Sequence, residues 1–261
     1  MTLPDTNWLK GFNDLIKEIY GDLAKPGVTQ VGNALGTVIG LLNTCLSPIK
    51  YLNERTELNR QNNLSELAKR FNQIPLNDIV EAAPEIAVPI AEKLVYISDE
   101  TLRTMYIELL AKASTKNFIQ HAHPSFINII NNLSPDEANL IKLFFDKDTI
   151  PFISYKSVNQ DDDSYHFVDE LVISIPPSVS LIYPNNKNAY LHNLESLGLI
   201  KIITSRHLNN VELYQPLINE FETSKSQYDL NNQDKNRILE FEKGGIQVTE
   251  LGRMFFQSIR S

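Results

Sequence analysis

The sequence predicts a mainly α-helical chain: an N-terminal helical bundle built on a long helix or helical hairpin, followed by a smaller α+β domain of winged-helix type. Two observations carry this expectation. Apolar residues recur at spacings of three and four through most of the first 148 positions, whereas later segments alternate apolar with polar residues between turn signals. The run Ser134-Pro135-Asp136-Glu137 joins a serine cap, a proline at the first helical position and a glutamate three residues on, which makes it the best specified helix start in the chain. The domain division is accordingly read as 1–133 and 134–261.

In the first part, Thr6 caps a helix carrying Trp8, Phe12, Leu15, Ile19 and Leu23, which ends at Lys25-Pro26-Gly27. The regular seam Val28, Val31, Leu35, Val38, Leu42, Cys45, Ile49 and Leu52 follows, and its spacing is that of a heptad pattern needing a partner helix. Gly32, Gly36 and Gly40 stand beside it, where missing side chains would let another backbone come close. After a polar stretch the spacing resumes at Leu64, Leu67, Phe71 and Ile74. Pro84 and Pro89 are expected to split residues 78–97 into short helical pieces, and Ser98 to cap a helix bearing Leu102, Met105, Tyr106, Leu109, Leu110 and Ala113. Pro124 opens a further helix, with Phe126, Ile130 and Leu133 in register.

In the second part, residues 151–158 and 167–175 read as strands separated by the polar run around Asp161-Asp162-Asp163. Asn186 to Leu197 reads as a helix stopped by Gly198, Leu199 to Ile203 as a strand, and the polar stretch up to Gly244-Gly245 as a long connection. Ile246 to Val248 gives a short strand, and Thr249 caps a last helix with Leu251, Phe255, Phe256 and Ile259 facing inward. This order suggests a winged helix whose docking helix would be residues 186–197, with Lys187, Asn188, His192 and Lys201 as nucleic-acid contacts. Charge argues the other way. The whole chain has 24 basic and 32 acidic residues, net −8, and residues 134–261 alone have 12 and 18, net −6, whereas phosphate neutralisation supplies most DNA affinity.

Reactive signatures are sparse. A single cysteine, Cys45, excludes an intrachain disulfide and a thiolate zinc cage, and its seam position reads as packed core. His121 and His123 could share a metal in an extended segment, but no third ligand stands near in sequence, and His123 is read as satisfying backbone groups at the start of the next helix. The aspartate triplet lacks the spacing of a calcium loop, and the carboxylate pairs Glu54/Glu57 and Glu81/Glu85 are ordinary helix-surface pairs. No nucleophile elbow, phosphate loop or dinucleotide fingerprint occurs. The expectation is a non-enzyme with no catalytic, cofactor-binding or metal-binding residues. Residues 1–6 lack a basic and an apolar signal region, so the chain is expected in the cytoplasm.

The helix Val31-Gly32-Asn33-Ala34-Leu35-Gly36, the leucine-rich Tyr106 to Ala113 and above all the run from His123 to Ala138 resemble the bacterial abortive infection alpha family. The ending Val248 to Phe256 resembles it as well. The resemblance implies a part in phage exclusion and supplies no catalytic residue. His123, Pro124, Phe126, Ser134, Pro135 and Glu137 read as a joint of two proline-started helices that sets the angle between the halves. The resulting expectation is an antiphage protein acting through protein contacts, self-associating through Val28, Val31, Gly32, Leu35, Gly36, Val38, Gly40 and Leu42, and answering to a phage or host protein trigger. Two rivals stand beside it: a winged-helix DNA-binding regulator, and a membrane-active effector that releases the Gly32/Gly36/Gly40 helix onto a bilayer.

Overall fold

The computed structural model describes residues 54–71, 73–204, 208–232 and 234–260. The helix from Thr6, the seam Val28 to Leu52 and the glycine row lie outside the described residues. The chain divides into two compact units: the described residues up to Asn132 with the tail from Ser258, and Leu133–Gln257.

The first unit is helical. α1 (Glu54–Phe71) ends in Lys69 and Arg70, charges that suit a helix C-terminus, and buries Leu64, Leu67 and Phe71, with Ile74 beyond. α2 (Pro84–Tyr96) is one continuous helix. Pro84 sits at its start, and Pro89 lies inside it rather than breaking it, because the buried stripe Ile86, Ile90 and Leu94 offsets the lost backbone hydrogen bond. Asn63, fully buried, donates to the carbonyls of Leu94 and Ile97 at 2.9 and 2.8 Å, satisfying the open end of α2. α3 (Glu100–Ala113) is capped by Asp99, whose carboxylate accepts the Leu102 amide at 2.9 Å; the cap expected at Ser98 is one residue late in the chain. α4 (Ser125–Asn131) buries Phe126 and Ile130, and Asn131 accepts the Tyr106 hydroxyl at 2.7 Å.

The second unit is built on a four-stranded antiparallel sheet in the order β2-β1-β4-β3. α5 (Pro135–Leu140) runs through a 3₁₀ turn into β1 (Thr149–Asn159), which turns back into β2 (Tyr165–Val172). α6 (Lys187–Ser196) ends at Gly198, whose φ of +75° is the left-handed exit that only glycine takes cheaply. β3 (Ile200–Ile203), α7 (Gln215–Asn231), β4 (Arg237–Val248) and α8 (Glu250–Ile259) complete the chain. β1 and β4 pair along their length, from Thr149 opposite Gln247 to Asn159 opposite Arg237. α7 lies on one face of this pair. Leu217 and Phe221 join Ile153, Tyr155, Val172 and Leu239, with Phe221 edge-on to Tyr155 and Phe241 at 5.2 and 4.7 Å between ring centres. Tyr214, buried at the start of the same layer, donates to the Gly244 carbonyl at 2.8 Å.

The fold class expected from sequence is therefore corrected. The described chain is mixed α and β, with eight α-helices and a four-stranded antiparallel sheet, and is neither mainly α with an N-terminal bundle nor completed by a winged-helix-like domain. The stretch read as a long connection holds the 17-residue α7, and the short strand expected at 246–248 is the end of the 12-residue β4.

Candidate interaction site

Around α5 two carboxylates, Asp136 and Glu137, are buried and hydrogen-bonded to residues far along the chain. Ser134 and Glu137 form a reciprocal cap: the serine Oγ accepts the Glu137 amide at 3.3 Å and the Glu137 Oε2 accepts the Ser134 amide at 2.6 Å. Glu137 Oε1 also accepts Asn193 Nδ2 at 2.7 Å, tying α5 to α6. Pro135 fills the first helical position.

Between them, Asp136 is 2% exposed and turns its carboxylate to the segment before α6. Oδ1 accepts the Ile182 amide at 2.7 Å, and Oδ2 accepts the Tyr183 amide at 2.8 Å and the Tyr190 hydroxyl at 3.0 Å. Burial pushes this carboxyl up, but the two amides and the phenol together outweigh it and hold Asp136 below the usual carboxylate range. Burial first, with the bond and charge of Asp136 outweighing an opposing bond from Asn186, moves the Tyr190 hydroxyl up. The chemical consequence is mechanical. A buried anion fixes two successive backbone amides while the side chains they carry, Ile182 and Tyr183, stay 68% and 64% exposed. The backbone beneath these two side chains is thus fixed in place.

The other residues singled out from sequence fall as follows. His123, Pro124 and Phe126 belong to the first unit, where His123 Nδ1 accepts the Ser125 amide at 3.1 Å, its ring stands 5.8 Å from Phe126, and Phe126 is fully buried. Ser134, Pro135 and Glu137 belong to the second. Lys187 and Asn188 open α6 half-buried, and the Lys187 ammonium is pushed below its ordinary value, first by burial, against the pull of Asp169 and Glu220. His192 is exposed 3.7 Å from Glu195, and Lys201 is exposed on β3. The aspartate triplet forms an exposed turn in which Asp162 accepts the Ser164 amide at 3.0 Å. No group of three or more metal-ligating side chains occurs among the described residues.

Sequence reading missed Asp136, Ile182, Tyr183, Tyr190 and Asn193. A signal was present for the segment: residues 171–186 run sixteen positions without Asp, Glu, Lys or Arg in a chain that is 21% charged.

The structure so far defines a class, a two-unit α and β protein whose candidate site is an anchored surface segment. The family is given by comparison. The model of the abortive infection alpha family matches residues 59–259, and the chain belongs to that family. Membership points to abortive infection, a defence against phage. No curated protein matches the chain. A solved structure of an uncharacterized protein from the hydrocarbon-degrading marine bacterium Alcanivorax borkumensis SK2 is similar over 52% of this chain and 92% of that one, at 12% identity and a TM-score of 0.30, a likeness too slight to carry an argument.

Proposed function

We propose that this chain is a non-enzymatic abortive-infection protein that acts through protein contacts and self-association. One observation carries the reading: Asp136 fixes the Ile182 and Tyr183 amides and leaves both large apolar side chains in solvent, an arrangement with no evident use within the unit and an evident one at an interface. Self-association is assigned to the seam Val28, Val31, Leu35, Val38 and Leu42 with Gly32, Gly36 and Gly40, on the sequence argument that an apolar heptad seam must be covered. The trigger is a phage or host protein. No helix among the described residues is long and apolar enough to cross a membrane.

The test is phage challenge of cells carrying the chain or its Ile182→Asp/Tyr183→Asp variant. Equal accumulation of both with protection lost only in the variant is the expected outcome, and full protection by the variant overturns the reading. Sedimentation of the parent and of Gly36→Leu tests self-association separately: a parent already monomeric at micromolar concentration removes that half of the proposal.

A further inference from the structure

β2 is the outermost strand of the sheet, and among the described residues β1 is its one strand neighbour. Every residue from Tyr165 to Glu170 is exposed, so both side-chain faces of the strand meet solvent as well as its free edge. Three of those residues are large and apolar: Tyr165, Phe167 and Val168 are 54%, 39% and 49% exposed. Tyr165 and Phe167 meet edge to face at 5.6 Å, and Lys156 lies over the Tyr165 ring at 5.2 Å. The strand contains no proline, and its bulge falls at Val168, so the stretch Tyr165 to Phe167 keeps a regular edge. An edge with open backbone and apolar side chains is a template for one more strand.

Charge says what that strand carries. The turn and strand from 161 to 170 hold Asp161, Asp162, Asp163, Asp169 and Glu170 and not one lysine or arginine. Register adds Glu240 in a row with Lys156 and Phe167, and Glu242 lies two residues along β4. The nearby cations are fewer than these acids: Lys156 lies on the Tyr165 ring, Lys187 acts on Asp169 and Glu220, and Arg237, bonded to Ser157 Oγ and carbonyl at 2.9 and 2.7 Å and to His166 Nδ1 at 3.2 Å, acts on Asp162, so the turn and strand stay net acidic. A second copy would bring the same turn and strand, with five carboxylates and neither lysine nor arginine, so this edge does not complement itself in charge. We propose that the β2 edge takes up an extended segment of a partner protein, with basic and apolar residues alternating, as a fifth strand. Its backbone pairs with the regular stretch Tyr165 to Phe167, before the bulge at Val168, its apolar residues meet Tyr165 and Phe167, and its cations meet the acidic turn and Glu170. This rests on the protein-contact reading above and supplies the partner's chemistry.

The experiment uses the full chain and three labelled decapeptides: alternating Lys and Val, alternating Glu and Val, and the Lys/Val peptide N-methylated at every second residue so that one edge cannot pair. Fluorescence anisotropy is expected to show the first binding about tenfold or more tighter than either of the others. Amide exchange is expected to slow across residues 165–167 when it binds. An Asp169→Lys/Glu170→Lys variant is expected to shift preference toward the Glu/Val peptide. Equal binding of the methylated peptide, absence of Lys/Val binding, or protection that falls elsewhere overturns the proposal, and the comparison of peptides on the parent chain needs no variant to fold. Because the readout is peptide binding rather than phage protection, failure here leaves the Ile182/Tyr183 test standing, and failure there leaves this one standing.

Discussion

Arg70 Nε meets Glu108 Oε1 at 2.7 Å across α1 and α3, with the glutamate side chain 4% exposed and the arginine 24%. The second carboxylate oxygen, Oε2, is buried without a hydrogen-bond partner, so the pair is unequal: the acid depends on the base more than the base on the acid. Arg70→Ala leaves the buried carboxylate with the charge of Lys112 alone and is expected to cost about 3 kcal/mol, at the low end for breaking a buried pair because the arginine reaches solvent and the lysine remains. Glu108→Leu keeps the volume, frees Arg70 to turn outward, and is expected to cost under about 1 kcal/mol. Urea denaturation of the two variants checks the ranking, and equal costs would show that the acid gains little from its partner.

Gly252, in the first turn of α8, faces the backbone of Leu199 so closely that an added Cβ would lie 2.0 Å from the Leu199 carbonyl oxygen and 2.9 Å from its carbon. Thr249 stands at the same junction, its Oγ1 accepting the Gly252 amide at 2.9 Å. Because the obstacle is main chain rather than a flexible side-chain end, Gly252→Ala must push α8 off β3, and a loss of about 2–3 kcal/mol is expected from overpacking alone. Thermal unfolding beside Gly245→Ala, whose Cβ would lie 3.3 Å from the Thr149 methyl and an ordinary 4.0 Å from the Ile150 carbonyl oxygen, separates close approach from the general cost of losing a glycine.

Those two glycines also show where the sequence was readable and where it was not. Local signals survived: the Ser134/Glu137 cap, the Thr249 cap, the stop at Gly198 and the buried phase Leu64, Leu67, Phe71 and Ile74 are each set within a few residues and appear in place. α7 was hidden because it buries only Leu217 and Phe221, two residues on one narrow stripe, so its period is drowned by polar neighbours. The strand read at 167–175 is β2 at 165–172, and its six exposed residues in a row carry no alternation that sequence could have used to place its faces. The Asp136 anchor could not be read at all, because its partners lie 46 to 54 residues away in the chain and backbone amides carry no sequence identity.

Asp136 gives the chain an acid-labile contact. Its carboxyl is held below the ordinary value near 4, so it contributes stability that is fully present above that value and is lost as pH falls through the lowered folded value. Asp136→Asn removes the charge and points an amide at two N–H donors, with an expected cost of about 1–2 kcal/mol at pH 7. The variant should also lose part of the parent's destabilisation below about pH 4. Denaturation midpoints for both chains from neutral to acid pH check this. Parallel curves would place the acid sensitivity on other carboxylates.

Lys187 has the opposite sign. Burial is the main influence on it and lowers its ammonium below the ordinary lysine value, with Asp169 and Glu220 recovering only part. A base whose folded value is depressed binds fewer protons folded than unfolded as pH climbs from that folded value toward the unfolded one near 10.4, so stability rises through this window and the charge is a net burden below it. Lys187→Met keeps the stem that packs at the start of α6 and removes the charge. It is expected to leave the chain as stable or more stable at pH 7, by up to about 1 kcal/mol, and to flatten the rise on the approach to the ordinary lysine value near 10.4. Asp169 and Glu220, both on the surface, lose a neighbour and keep their water. Denaturant titrations of both chains at neutral and alkaline pH decide it: a clear loss of stability in Lys187→Met at pH 7 would mean that the two carboxylates outweigh burial, and that this lysine is held in the second unit as an ion-pair partner.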